Sequence, residues 1–492
     1  MLNGVKLRKH YLNFFTINSP FRIKVINYLE LYVFGCSYLE KRSIVIIGGG
    51  TGGSTVASFI RKFDRESEIT IFEEGKWPTY SPCGMPFALA GTVKGFDKLI
   101  ELTPTYFEKL KINYHLETKV TKIDYKGRKI VYVKNGEEFE KDFDVLVIAT
   151  GSKGRRLKVE GSDLKGIFTA KTMDNFKSID EYIRKRNVKK AAIVGAGFTA
   201  AEVAEALTMR NIKTYVLHRG ETILRKLFDE DFAKAIMSTM SAHGVVFMPG
   251  RHVRKYVGEN GYVKKVFTEE GDILDVDMVV EAIGAAPNVE LAREAGVEIS
   301  EKTGAIKVNE YMETNLKDIY AVGDCASSFN AVTGEEESSM LATTAFRQAR
   351  IAAYNILGKR VKYPGHLETA GLKAFELYAG TTGLINAIAK NKGIDSIAVT
   401  LSLPSNPYYY PGAVDIKFKL IVDKSNGRII GAQALSRKNI ANLVTAASFL
   451  IMNKMNILDV TVMEWCYAPP LSYGWNVIVE AAFQAAKRLK IL

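Results

Sequence analysis

The sequence predicts an α/β fold of two parallel-sheet units, each opening on a glycine-rich turn, followed by a smaller α+β domain. Three observations predict it. A β-branched strand running into GxGxxG and an apolar-periodic helix occupies residues 43–63. A near copy of that pattern recurs at 191–207. The C-terminal third carries alternating strands and no further glycine-rich loop. A chain of 492 residues, at about 150 residues per domain, is expected to form three units. Its 47% hydrophobic and 25% charged content excludes a disordered, fibrous or disulfide-stapled miniprotein.

Residues 1–42 stand apart. They are aromatic and basic, with seven Lys or Arg against two Glu. They lack the apolar stretch and small-residue cleavage site of a signal peptide, and are expected to be an extension outside the fold. No run of 18 apolar residues occurs in the chain, so no membrane-spanning helix is expected.

In the first unit, 43–47 suits a buried parallel strand. Gly48, Gly50 and Gly53 then complete GxGxxG ahead of the helix. Glycine lets the strand turn and lets the backbone approach a pyrophosphate, whose charge rests on the helix N-terminus. A second strand, 68–72, runs into Glu73, 20 residues beyond Gly53. An acid in that place holds the ribose hydroxyls of a dinucleotide.

In the second unit, Gly195, Gly197 and Ala200 form the tolerated GxGxxA variant. The next strand, 213–217, runs into His218 and Arg219 instead of an acid. Cations there favour a 2′-phosphate, so this unit is read as built for NADPH, with NADH as the alternative. Two dinucleotide units in one chain point to FAD plus NAD(P)H, and hence to two Rossmann-like domains.

Two further segments, 142–152 and 275–288, each end a buried-strand pattern at glycine, and 314–325 ends a strand at Gly323-Asp324. In this order the five motifs resemble the two-dinucleotide flavoprotein disulfide reductase superfamily, over residues 43–484. The resemblance implies that Asp324 holds the ribityl–pyrophosphate part of FAD. It also implies the boundaries: 43–153 with 286–357 as the FAD-binding domain, 154–285 as the NAD(P)-binding domain, and 358–492 as a homodimerisation domain. Within the last, 425–428 reads as a hairpin turn.

Cys36, Cys83, Cys325 and Cys466 are too scattered for a CxxC metal knuckle or a local dithiol, a usage that suits a reducing, cytoplasmic setting. Cys83 stands in TYSPCGMPFALAG (79–91), ahead of an expected helix whose N-terminus would lower the thiol pKa. The superfamily's dithiol members place a second Cys five positions away; here Pro78 and Ala88 flank instead. This single-cysteine pattern resembles the branch of coenzyme A-disulfide reductase, NADH oxidase and NADH peroxidase.

That resemblance implies coenzyme A contacts at Lys62 and Thr79. It also implies tyrosines that reach the partner subunit's sulfur, Tyr409 (or Tyr410) and Tyr467; a phenol can give a proton to a departing thiolate. Thr51 stands where the oxidase and peroxidase members carry a His, which weakens a peroxidase reading. Pro82 stands where the reductases commonly carry Asn, and 341–350 departs from the family's helix beneath the flavin; both bear on the disulfide substrate.

The expected activity is therefore NAD(P)H-dependent reduction of coenzyme A disulfide through FAD and Cys83, by way of a Cys83–coenzyme A mixed disulfide. Oxygen, sulfur or polysulfide are the alternative acceptors. A non-catalytic NAD(P)H-sensing flavoprotein is the reading from another class. The formal charge of +13 then has polyphosphate addresses at His218, Arg219 and Lys62. No nucleic acid partner, stable membrane insertion or metal is expected.

Overall fold

The computed structural model describes residues 40–492. The expected extension at 1–42 lies outside them apart from its last three residues, as does Cys36.

Three five-stranded sheets organise the described chain. In the first, the order is Ile319–Ala321, Val145–Ile148, Ser43–Ile47, Glu68–Phe72, Ile112–His115, all parallel. In the second, Val246–Pro249, Lys213–His218, Lys190–Val194, Met278–Glu281 and Ile167–Thr169 are again all parallel. Parallel strands covered on both faces require continuous apolar runs. Ile44, Val45 and Ile46 in the first sheet, and Ala191, Ala192 and Ile193 in the second, are accordingly buried. In each sheet the glycine-rich turn leaves the carboxyl end of a central strand, where open α/β sheets bind ligands.

The strands expected at 43–47 and 68–72 have those bounds. The strand expected at 213–217 runs one residue further, to His218. That residue has a consequence for the second loop.

The third sheet is antiparallel, in the order Ala370–Ala374, Leu377–Gly383, Ile429–Ser436, Asp415–Asp423, Ser396–Pro404. The turn at 425–428 joins two of its paired strands, with Gly427 at φ +70°. Helices Ala441–Met452 and Val477–Arg488 bury their apolar sides against it.

A buried polar knot fastens this sheet to the second unit. Asp229 accepts from the Lys419 ammonium at 3.2 Å, the Gln433 amide at 2.8 Å and the Ala387 N–H at 3.1 Å. Lys419 is 7% exposed and also pairs with Asp231 at 2.5 Å. Removing one partner of a buried ion pair costs about 3–5 kcal/mol. Asp229→Ala is expected to cost about 3 kcal/mol, the low end, because Asp231 still faces the ammonium. Thermal unfolding checks this; an unchanged midpoint would show that the knot contributes nothing.

Among the described residues no helix is long and apolar enough to cross a membrane.

Candidate active site

The first loop has the form its glycines require. Gly48 sits at φ +105°, and a Cβ there would meet the Ala149 carbonyl oxygen at 2.2 Å. Gly50 is different: a Cβ would meet nothing within 4 Å, so its bareness faces open space in front of the helix Thr51–Phe63. A phosphate can approach the backbone there. Glu73 closes the loop from the side. One carboxylate oxygen accepts the Gly49 N–H and the other the Gly75 N–H, each at 2.8 Å. Burial raises its pKa, while those two N–H groups pull the other way. The carboxylate keeps lone pairs for hydroxyl donors. This cradle fits the pyrophosphate and ribose of FAD.

Across the same sheet, Asp324 stands in the short turn Gly323–Cys325. A single oxygen, Oδ2, accepts from Ser152 Oγ at 2.6 Å and from Lys171 Nζ at 2.8 Å. Among the described residues its other oxygen, Oδ1, accepts no hydrogen bond. Cys325 is buried, its sulfur directed at the Ile148 and Val322 carbonyls.

Cys83 is exposed, in the turn Pro82–Gly84 ahead of the helix Met85–Leu89. The segment leading to it is tied to the first loop: Thr79 Oγ1 donates to the Gly49 carbonyl at 2.8 Å and meets Ser54 Oγ at 2.6 Å. Two expectations are corrected here. Thr79 is buried and its hydroxyl is engaged by the loop, so it holds Cys83 in place and does not face coenzyme A. The Cys83 thiol pKa is raised, not lowered. Burial by the surrounding protein is the largest cause, and Glu202, Glu101 and Asp324 add to it, against Lys171. A helix of five residues has too little dipole to reverse this. Glu202 itself is pushed up to about 7 by burial and by Glu205.

The second loop repeats the first. Gly195 sits at φ +139°, and Gly197 faces open space. Ala200, buried on the helix Phe198–Met209, fills the place of the third glycine. His218 requires a correction. Because the strand runs on through it, its ring is 3% exposed, neither ring nitrogen has a hydrogen-bond partner, and burial lowers its pKa. A neutral buried imidazole cannot serve as a cation for phosphate. Arg219, the first residue outside the strand, is exposed. The following loop folds back, with the Leu224 N–H bonding the Ala196 carbonyl at 2.7 Å. This brings Arg225 beside Gly220, where a Cβ would lie 3.3 Å from its Cδ. Among the described residues neither Arg219 nor Arg225 has a carboxylate partner. Arg225 was missed in the sequence because only the fold-back brings it to the loop.

Lys62 is exposed near the end of the helix Thr51–Phe63. Its ammonium lies 4.5 Å from the Phe59 ring centroid, and the Arg350 guanidinium lies 4.9 Å from the same ring. Arg350 comes from the helix Ala342–Ile356, and among the described residues neither cation meets a carboxylate. In the C-terminal domain, Tyr409 (76% exposed), in the loop between the strands Ser396–Pro404 and Asp415–Asp423, and Tyr467 (50%), in the loop before the helix Val477–Arg488, come together, and Tyr467 raises the Tyr409 pKa. Tyr408, Leu471 and Trp475 of the same two loops are exposed as well.

A family model described as pyridine nucleotide-disulphide oxidoreductase matches residues 42–349, and one for the dimerisation domain of such oxidoreductases matches 369–477. The chain is 36% identical to the NADH oxidase of Methanocaldococcus jannaschii, over 90% of this chain and 99% of that protein. It is 34% identical to the NAD(P)H sulfur oxidoreductase (CoA-dependent) of Pyrococcus abyssi, over 90% and 98%. Among solved structures it matches an engineered water-forming NADPH oxidase bound to NADPH, with TM-score 0.86 and 25% identity, over 91% of this chain and 99% of that one. That enzyme departs from the Lactobacillus brevis NADH oxidase by five substitutions. In it Ala replaces Gly, and 18 positions later Ala replaces Asp. The next two positions gain Arg and Ser, and Arg replaces Pro seven positions past the Asp.

Proposed function

Because the chain belongs to the pyridine nucleotide-disulphide oxidoreductase family, we propose that it uses NADPH to reduce coenzyme A disulfide at Cys83. FAD and NAD(P)H are the cofactors of that family. When bound, FAD takes hydride from the nicotinamide and delivers the electron pair to sulfur.

The chain's own residues do the rest. Gly50, Glu73 and Asp324 hold the flavin. Cys83, as thiolate, attacks one sulfur of coenzyme A disulfide; a Cys83–coenzyme A disulfide forms and one coenzyme A thiolate leaves. The electron pair then cleaves that mixed disulfide, freeing the second coenzyme A and restoring Cys83. One NADPH and one proton thus yield NADP⁺ and two coenzyme A thiols. In a homodimer formed through the C-terminal domain, Tyr467, with Tyr409 beside it, supplies a proton to the departing thiolate of the opposite subunit.

The observation that carries the coenzyme A reading is the Phe59 ring with the Lys62 and Arg350 cations both beside it. Lys62 lies 11 residues beyond Thr51, about 16 Å along the helix. The other end of that helix is where Thr79 anchors the Cys83 segment. A pantetheine arm spans that length, bringing the nucleotide end to Phe59 and its phosphates to two cations that meet no carboxylate among the described residues. Lys62→Ala and Arg350→Ala are each expected to raise the KM for coenzyme A disulfide about tenfold, the value of one lost charge-assisted contact. The KM for inorganic polysulfide should stay unchanged. Steady-state kinetics with both substrates checks this.

NADPH over NADH rests on the second loop. Ala200, then 18 positions later His218 in place of an acid, then Arg219 and, seven past His218, Arg225 follow the spacing of the substitutions in the engineered NADPH oxidase. Gly220 stands where that enzyme gains Ser.

The direct test of function is mass analysis of the purified protein for coenzyme A linked to Cys83, with thiol release under NADPH. No adduct and no release would overturn the reading. The likeness to the CoA-dependent sulfur oxidoreductase favours a second substrate at the same sulfur, coenzyme A persulfide; sulfide release under NADPH would reveal it.

A further inference from the structure

The segment that carries Cys83 comes from one sheet and packs on the helices of another. Along the chain it lies between the strands Glu68–Phe72 and Ile112–His115 of the first sheet. Its helix Met85–Leu89 nevertheless packs on the helices Met173–Arg186 and Phe198–Met209, which connect strands of the second sheet. Met85 and Leu89, each 2% exposed, share one buried apolar cluster with Met173 and Phe176 of the first of these helices and Ala204 and Leu207 of the second. A helix of five residues has no stability of its own, so its direction is set by what it is fastened to.

Polar contacts fasten the segment at both ends. At the near end Thr79 is bonded to the first loop, and the Tyr80 hydroxyl accepts the Met173 N–H at 3.2 Å. At the far end stands Arg210, the residue that closes the helix Phe198–Met209. Its Nη1 donates to the Leu89 carbonyl at 3.2 Å and to Asp180 Oδ1 at 2.7 Å. Asp180 lies on the helix Met173–Arg186, and its other oxygen pairs with Arg184 at 2.7 Å. One guanidinium therefore joins three helices. The Leu89 carbonyl is among those a helix leaves unpaired at its carboxyl end, where a cation is favourable. The side chains of Arg210 and Asp180 are 21% and 18% exposed, so solvent screens the pair weakly.

We propose that Arg210 is a positioning residue for the reactive sulfur: it locks the carboxyl end of the helix that follows Cys83, so that the turn Pro82–Gly84 presents the sulfur in one place. With Thr79 fastening the other end, Cys83 sits in a span held at two fixed points. Arg210 acts through the helix and touches neither the sulfur nor the glycine-rich loops. This rests on the reading of Cys83 as the reactive thiol, and adds that the sulfur is placed by the unit that carries the second glycine-rich loop.

The test compares Arg210→Met with the unaltered protein, both loaded with FAD. Hydrogen exchange of the amides in 85–93 should become about tenfold faster, the value of one charge-assisted hydrogen bond. With coenzyme A disulfide and NADPH, kcat for thiol release should fall about tenfold while the KM for the disulfide stays the same. Anaerobic reduction of the flavin by NADPH should keep its rate. Arg210→Lys should restore most of the loss, because a single nitrogen makes both contacts and an ammonium can replace it. If Arg210→Met does not fold, Asp180→Asn, which takes the charge from the group that aims the guanidinium, makes the same comparison with a smaller effect. Unchanged exchange, or an unchanged kcat, overturns the proposal. So does an equal fall in flavin reduction, since Arg210 would then only maintain the fold. Dithionitrobenzoate, a small aromatic disulfide, separates this proposal from the substrate reading. If it alone is reduced, and the variant reduces it about tenfold more slowly, the positioning role stands and coenzyme A disulfide is overturned as substrate. If the unaltered protein reduces neither disulfide, both readings fall.

Discussion

Cys83→Ser is expected to abolish NADPH-dependent release of coenzyme A while FAD stays bound. The thiolate is the nucleophile of disulfide exchange, and a serine hydroxyl neither ionises near neutral pH nor forms a bond to sulfur that can be reduced. Losing a covalent nucleophile costs about three orders of magnitude or more. Flavin retention should not change, because the residues proposed to hold the cofactor, Gly50, Glu73 and Asp324, are left intact. Reduction of the flavin by NADPH should continue, and its slow reoxidation by oxygen with it. Thiol release and flavin content measured on the same preparation decide the matter. Coenzyme A released at the original rate by Cys83→Ser would remove sulfur from the mechanism and leave an oxidase.

The second large effect concerns the nucleotide. Replacing both Arg219 and Arg225 with Ala should raise the KM for NADPH about 100-fold and leave the KM for NADH nearly unchanged. A hydrogen bond to a charged group contributes about 1.5–3 kcal/mol. Arg219 and Arg225 are exposed, which puts each near the lower end, or about tenfold. The unaltered protein should also lose affinity for NADPH as salt rises, and the double variant should lose less, because its remaining contacts carry less charge. Equal losses for NADPH and NADH would show that the arginines support the loop and do not read the 2′-phosphate.

Both dinucleotide units were legible in the sequence for one physical reason. A parallel strand buried on both faces, a turn that excludes side chains and a helix N-terminus aimed at phosphate are local requirements, and local requirements are written in consecutive residues. Glu73 belongs with them, since a fixed βαβ length sets its distance from Gly53. Cys83 was legible as a residue but not as an acid. Its pKa is raised first by the protein packed around it and then by Glu202, against Lys171, groups that come together only when both parallel-sheet units have folded. His218 was misread because one more residue of strand turned a surface cation into a buried neutral ring.

The sequence by itself thus determined the fold class and the two glycine-rich loops. Each follows from backbone geometry and residue type over a few consecutive positions. Only the tertiary structure decided that Thr79 fastens a loop, that Arg225 comes beside Gly220, that Arg350 and Lys62 share the Phe59 ring, and that Lys171 reaches Asp324. Those pairings join residues far apart along the chain or across a fold-back. Charges act through space at distances of a few ångströms, and no spacing along the chain encodes them.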